Sequence, residues 1–149
     1  KIFTYVKSFL DDSDYIGKRI IMGRSLGSAS ACEIISKHSS EIDGCIIESG
    51  FGTEIPLMRI LELGPDDVEY DPKHGFENLR KLVVYTGSLF IIHSQRDDII
   101  PLDEGKLMHD KSGSKHKEIW VVENADHNNI LIHAQQKYFK KIKRFIDSI

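Results

Sequence analysis

The chain has 149 residues, 29% of them charged and 40% hydrophobic, and its formal net charge is -3. That length fits one domain with a sizeable core. The slightly acidic balance argues against a dedicated nucleic-acid binder, and no apolar run is long enough for a membrane-spanning helix.

Taken in chain order, Lys1 to Leu10 places Ile2, Phe3, Val6, Phe9 and Leu10 at helical spacing. Arg19 to Met22 reads as the first strand, and a helix-like stretch runs from Ser28 to His38. Between them stands Gly23-Arg24-Ser25-Leu26-Gly27, a G-x-S-x-G pentapeptide. Strand, tight turn and helix is the context of a nucleophile elbow, which pushes a serine hydroxyl out at the end of a sheet. Glycines relieve the crowding of such a turn. The bland alternative is that Gly23 and Gly27 serve helix–sheet packing alone.

The second strand is Gly44 to Glu48, the third Ser88 to His93 and the fourth Glu118 to Val122. Short, continuous runs rich in isoleucine and valine suit strands buried on both faces of a parallel sheet. Residues 51–87 are the least regular, with Gly64-Pro65, Asp71-Pro72 and Gly75 as turn signals. Ile55 to Leu63 within them is a short-helix candidate. The segment is expected to be a cap or an excursion over the sheet edge, or equally a plain connection with one packed helix. Helices are predicted over Leu102–Lys111 and Ile130–Ile149, the latter with Ile132, Tyr138, Phe139, Ile142, Phe145 and Ile146 as its buried stripe. Lys137, Lys140, Lys141, Lys143 and Arg144 read as the solvated face of that helix. Alternation of strands and helices implies an α/β fold built from right-handed βαβ units.

Cys32 and Cys45 read as small buried hydrophobes, with no C-x-x-C pair. A reducing, cytoplasmic setting is the expectation. No secretory signal is visible in a chain that starts at Lys1.

A serine nucleophile needs a base within hydrogen-bond reach and a carboxylate to orient that base. In open α/β sheets, such groups collect beyond the carboxyl ends of the strands. Ser25 follows the first strand, Asp97 the third and His127 the fourth. Asp98 competes with Asp97, although adjacent residues point in different directions and only one is expected to reach the histidine. Asp126 adjoins His127 too closely to face it. Plain readings are a solvated turn before Pro101 for the two aspartates and a helix-capping loop for His127. His93, ending a strand, reads as a packed, hydrogen-bonded histidine, and Glu48 as a candidate support. His38, His74, His109, His116 and His133 lack metal-ligand spacing. G-x-S-x-G is not the G-x-G-x-x-G of a dinucleotide site.

The pattern resembles the α/β-hydrolase superfamily over nearly the whole chain. The likeness rests on Gly23-Arg24-Ser25-Leu26-Gly27, on Ile91-Ile92-His93-Ser94-Gln95-Arg96-Asp97-Asp98-Ile99-Ile100-Pro101 and on Asn124-Ala125-Asp126-His127. Glu48-Ser49-Gly50-Phe51 is similar to a segment of the serine-aminopeptidase-like and protein-depalmitoylase-like branches. The family's strand-then-acid motif, with its aspartate four residues after a histidine, favours Asp97. Ser94 and Asp126 stand where the family often has glycine.

The resemblance implies a mostly parallel sheet flanked by helices, an α/β-hydrolase fold without its N-terminal strands. It implies a Ser25–His127–Asp97 triad, cleavage of an ester, thioester or amide through an acyl-enzyme, and a small-molecule or acyl substrate. Neither cofactor nor metal is implied. The backbone N–H of Leu26 is the expected oxyanion donor, and a second would come from a loop before the elbow, in an N-terminal part that the resemblance implies is absent. The competing expectation is a non-catalytic fragment or interaction domain that keeps the sheet.

Overall fold

In a computed structural model, residues 1–63 and 75–149 are described. The elements run α1 (Ile2–Asp12), β1 (Ile20–Arg24), α2 (Gly27–Lys37), a 3-10 turn (Ser39–Glu41), β2 (Gly44–Glu48), α3 (Ile55–Ile60), α4 (Asn78–Val84), β3 (Ser88–Ser94), α5 (Leu102–Lys111), β4 (Lys117–Val122), α6 (Ile130–Ala134) and α7 (Gln136–Ser148). The expected strands are present, and so are the expected helices with ends shifted by up to three residues, except that the closing helix is divided in two.

The strands form a single sheet in the order β1-β2-β3-β4, and every pair is parallel. When strand order follows chain order, right-handed crossovers stack the connecting helices on one face. That face holds Ala31, Cys32 and Ile35 of α2, Leu82 of α4 and Met108 of α5, against Cys45, Ile47, Leu89 and Ile91 of the sheet. The alternate strand residues Ile46, Phe90 and Ile92 point the other way. There the chain end covers them with Ile130, Ala134, Tyr138 and Phe145 of α6 and α7. β2 is buried along its whole length, which explains its unbroken apolar run.

Several expectations need correction. The Ile130–Ile149 helix breaks at Gln135, where φ is 48. No glycine or proline marks the break. Ile132 and Phe139 are exposed and do not join the buried stripe, while Tyr138 and Phe145 are buried as expected. In α1, Phe3 and Leu10 are half-buried and Ile2, Val6 and Phe9 are exposed. In the irregular segment, the described residues include α4, a helix packed on the sheet that the sequence reading did not separate from its surroundings. Phe51 is fully buried, and its carbonyl accepts from Asn78 Nδ2 at 2.8 Å. Gly64-Pro65, Asp71-Pro72 and His74, with the middle of the expected cap, lie outside the described residues.

Candidate active site

Each strand of the sheet delivers a residue to one edge. The ladder continues past the strand ends: Ser25 N donates to Glu48 O, Ser49 N to Ile92 O and Gln95 N to Val122 O, each at 2.9 Å. Ser25 itself sits at φ 52, a left-handed conformation that a non-glycine residue adopts at a cost of about 1–3 kcal/mol. The turn is tight because β1 and α2 approach closely at Gly23. A Cβ there would lie 2.5 Å from Gly27 O and 2.8 Å from Ala31 Cβ. Gly27 differs: a Cβ built on it meets nothing within 4 Å among the described residues. Packing therefore accounts for the first glycine of the pentapeptide and not for the second.

The structure brings Ser25, Asp97 and His127 together. His127 Nε2 lies 3.0 Å from Ser25 Oγ, and His127 Nδ1 lies 2.8 Å from Asp97 Oδ1 and 3.0 Å from Oδ2. An ionised carboxylate only accepts, so Nδ1 carries the proton. Nε2 is then the acceptor for the serine hydroxyl. His127 and Asp97 are buried, and Ser25 is half-buried. Asp98 is exposed and makes no such contact. Asp126 turns back on its own loop, accepting from the Asn128 and Asn129 amides at 2.8 and 3.1 Å.

Burial raises the Asp97 pKa, yet hydrogen bonding overrides it and holds the carboxyl below its ordinary value. The Ile100 amide donates to Oδ1 at 2.8 Å and the Ser94 hydroxyl to Oδ2 at 2.8 Å, while the His127 imidazole acts in the same direction. The Ser49 hydroxyl also lowers it, although that oxygen has no partner in hydrogen-bonding geometry. His93 is fully buried behind this carboxylate, and its Nε2 donates to Ile100 O at 2.9 Å. Burial pushes its pKa down and keeps it neutral. It is the packed, hydrogen-bonded histidine anticipated above.

The backbone N–H of Leu26 precedes the first turn of α2 and has no acceptor among the described residues. A helix N-terminus favours negative charge at this position. Beside the triad opens a groove of about 460 Å³ lined by Arg24, Glu48, Asn128, Leu131, Tyr138 and Phe139. A larger apolar groove of about 850 Å³ lies between α1 and α2, and Ser25, Asp97 and His127 line neither groove. Among the described residues, no group of histidine, cysteine, aspartate and glutamate is placed to hold a metal ion. Cys32 and Cys45 are buried, unpaired thiols, and burial pushes Cys32 up to about 12. For Cys32 burial outweighs the nearby Lys81 ammonium, which acts the other way.

Sequence reasoning passed over Arg24, Tyr138 and the Ser94 hydroxyl. Arg24 and Glu48 were readable as a pair, since two apolar strands end in opposite charges. In the structure they are register partners.

No family model matches the chain. Solved structures do. A metagenome-derived lipolytic enzyme from the LipS and LipT pair is 18% identical, with a TM-score of 0.73 over 98% of this chain and 71% of that one. A monoacylglycerol lipase from Paleococcus ferrophilus is 14% identical, with a TM-score of 0.69 over 97% of this chain and 73% of its own. The esterase domain of a Rhodothermus marinus protein is 14% identical, with a TM-score of 0.70 over 95% of this chain and 66% of its own. The likeness shows the fold: the chain has the α/β-hydrolase fold and spans about 70% of the length of these neighbours.

Proposed function

We propose that this α/β-hydrolase-fold chain carries the catalytic residues of a serine hydrolase acting on an ester, thioester or amide. The observation that carries the proposal is the hydrogen-bonded series Ser25 Oγ, His127 imidazole and Asp97 carboxylate, with links of 3.0 and 2.8 Å at the carboxyl edge of the sheet. Neighbours of the same fold that are named lipase and esterase support the class of reaction.

In this mechanism, Ser25 Oγ attacks the substrate carbonyl while His127 Nε2 takes its proton. Negative charge grows on the carbonyl oxygen, and the Leu26 N–H at the head of α2 donates to it. His127 then hands the proton to the leaving alcohol, thiol or amine, which departs and leaves an acyl-Ser25 ester. Water, deprotonated by the same histidine, attacks that ester; the imidazolium then returns the proton to Ser25 Oγ as the acyl–oxygen bond breaks and the acid leaves. Asp97 keeps the imidazole in the tautomer that leaves Nε2 free and stabilises the imidazolium.

The substrate is a small molecule or an acyl-bearing group, and the chemistry calls for no cofactor. One domain carries the site. We place the protein in a reducing, cytoplasmic setting, which suits two unpaired buried thiols. Among the described residues, no helix is long and apolar enough to cross a membrane.

Hydrolysis of short-chain p-nitrophenyl esters and acyl thioesters by the complete gene product tests the proposal. Ser25→Ala should lower kcat by roughly a millionfold, to background. Turnover that survives the substitution sinks the assignment. A protein inert toward every ester, thioester and amide, with Ser25 unreactive, is the outcome that favours an interaction domain.

A further inference from the structure

We propose that Arg24, the second residue of the pentapeptide, is a positioning residue that fixes the main chain of His127 from the nucleophile strand. The inference rests on the serine-hydrolase reading and assigns it a component outside the triad.

Parallel register places Arg24 and Glu48 side by side at the ends of β1 and β2. The Glu48 side chain is only 7% exposed. A carboxylate so buried is costly unless both oxygens find partners. Oε1 accepts from Arg24 Nε at 3.0 Å, and Oε2 accepts from the Tyr138 hydroxyl of α7 at 2.5 Å. Burial and this bond together hold the tyrosine protonated, so it stays a donor.

With Nε committed to Glu48, the planar guanidinium has a fixed plane, and its outer nitrogen has a fixed aim. Nη2 donates to the main-chain carbonyl oxygen of His127 at 2.6 Å and faces Asn128 Oδ1 at 3.5 Å. His127 is therefore held twice. Its ring is oriented by Asp97, and its backbone is tied to the strand that ends in Ser25. Upstream, the loop is pinned by Arg96 N to Ala125 O at 2.9 Å. Next to His127 the tie is Arg24.

A serine–histidine pair tolerates little error, since a 1 Å misplacement can cost about a hundredfold in rate. Fixing the backbone of the base from the strand of the nucleophile removes one source of that error. The Arg24 side chain is 45% exposed and opens to the 460 Å³ groove, so a free cation can reach its place if it is removed.

The test uses the complete gene product and the rate at which a fluorophosphonate labels Ser25. Arg24→Ala should slow labelling by about ten- to a hundredfold, with the fold intact by circular dichroism. Guanidinium ion at tens of millimolar should restore several-fold of the loss in a saturable way. It should have no effect on the wild type, nor on Arg24→Ala/Glu48→Gln, which lacks the carboxylate that receives the ion. Labelling of Arg24→Ala at the wild-type rate, or slowed labelling that guanidinium does not restore, overturns the inference and leaves the triad standing. A wild type that never labels overturns the hydrolase reading instead. A second measurement does not depend on labelling. The downfield proton resonance of the His127 Nδ1–H bonded to Asp97 should weaken in Arg24→Ala and return with guanidinium. A resonance indifferent to both changes also overturns the inference.

Discussion

The Ser94 hydroxyl donates to Asp97 Oδ2 across 2.8 Å, in a place where both side chains are sealed from solvent. The carboxylate that faces His127 thus owes part of its ionisation to a residue outside the triad. Asp97 has a folded-state pKa below the ordinary carboxyl value near 3.9. As pH falls, the unfolded chain takes up this proton first. The group's contribution to stability is complete above about pH 4–5 and is lost as pH drops through the folded value.

Ser94→Ala removes that donor and moves the folded pKa of Asp97 upward. The expected outcome is a loss of about 1.5–3 kcal/mol at neutral pH, as for a hydrogen bond to a charged group, together with a higher pH midpoint for acid unfolding. An acid-denaturation series followed by tryptophan fluorescence checks it. An unmoved midpoint would show that the Ile100 amide and the other groups around Asp97 hold the carboxylate ionised without Ser94.

Asp97→Asn keeps the shape of the acid and removes its charge. The amide can donate to His127 Nδ1 and so favours the wrong tautomer. A loss in kcat of about 10⁴-fold is expected, with KM nearly unchanged. Asp98→Asn, on an exposed side chain, should leave both parameters within about twofold. Steady-state kinetics on one ester separates the two aspartates, and equal effects would argue against the assignment of Asp97.

The two glycines of the pentapeptide should respond differently. Gly23→Ala forces a methyl against Gly27 O and Ala31. That overpacking should cost about 1–3 kcal/mol and distort the turn that presents Ser25. Gly27→Ala places its methyl in open space among the described residues and should be tolerated in stability. Urea unfolding of both variants, with m-values compared, provides the check.

Gly105→Ala tests the layer behind the triad. A Cβ there would lie 2.4 Å from Nδ1 of the fully buried His93, whose ring bonds to Ile100. The ring must shift, and Ile100 also supplies an amide to Asp97. Lower thermal stability together with reduced kcat is the expected pair of effects. Loss of stability with full activity would show that the packing defect stays local.

The candidate site of this chain was legible because its residues stand where the sheet ends. Apolar runs from Ile20, Gly44, Ser88 and Glu118 announce the strands, and polar residues just beyond them fall at one edge of any parallel sheet. That logic singled out Ser25, His127 and the neighbouring pair Asp97 and Asp98, and the resemblance chose Asp97 between the two. It failed where tertiary context overrides local pattern. The break at Gln135 has no glycine or proline to signal it, and nothing in the apolar pattern marks that Phe139 is exposed beside the buried Tyr138. Helical periodicity could not reveal that α1 leaves Ile2 and Phe9 exposed. α4 was hidden between turn signals, since Asn78 to Val84 is short and its Leu82 is the one apolar residue fully sealed in the core. In the Arg24–Glu48–Tyr138 network the strand-end pair had a sequence signal, but Tyr138, on a distant helix, needed the three-dimensional structure.

The central claim is that Ser25 is an activated nucleophile. The most direct measurement is intact mass after exposure of the complete gene product to a fluorophosphonate, for the wild type, Ser25→Ala and His127→Ala. The account predicts a single adduct on the wild type, mapped to the peptide holding Gly23 to Gly27, and no adduct on either variant. An adduct that persists in Ser25→Ala, or a wild type that stays unmodified while folded, would contradict it.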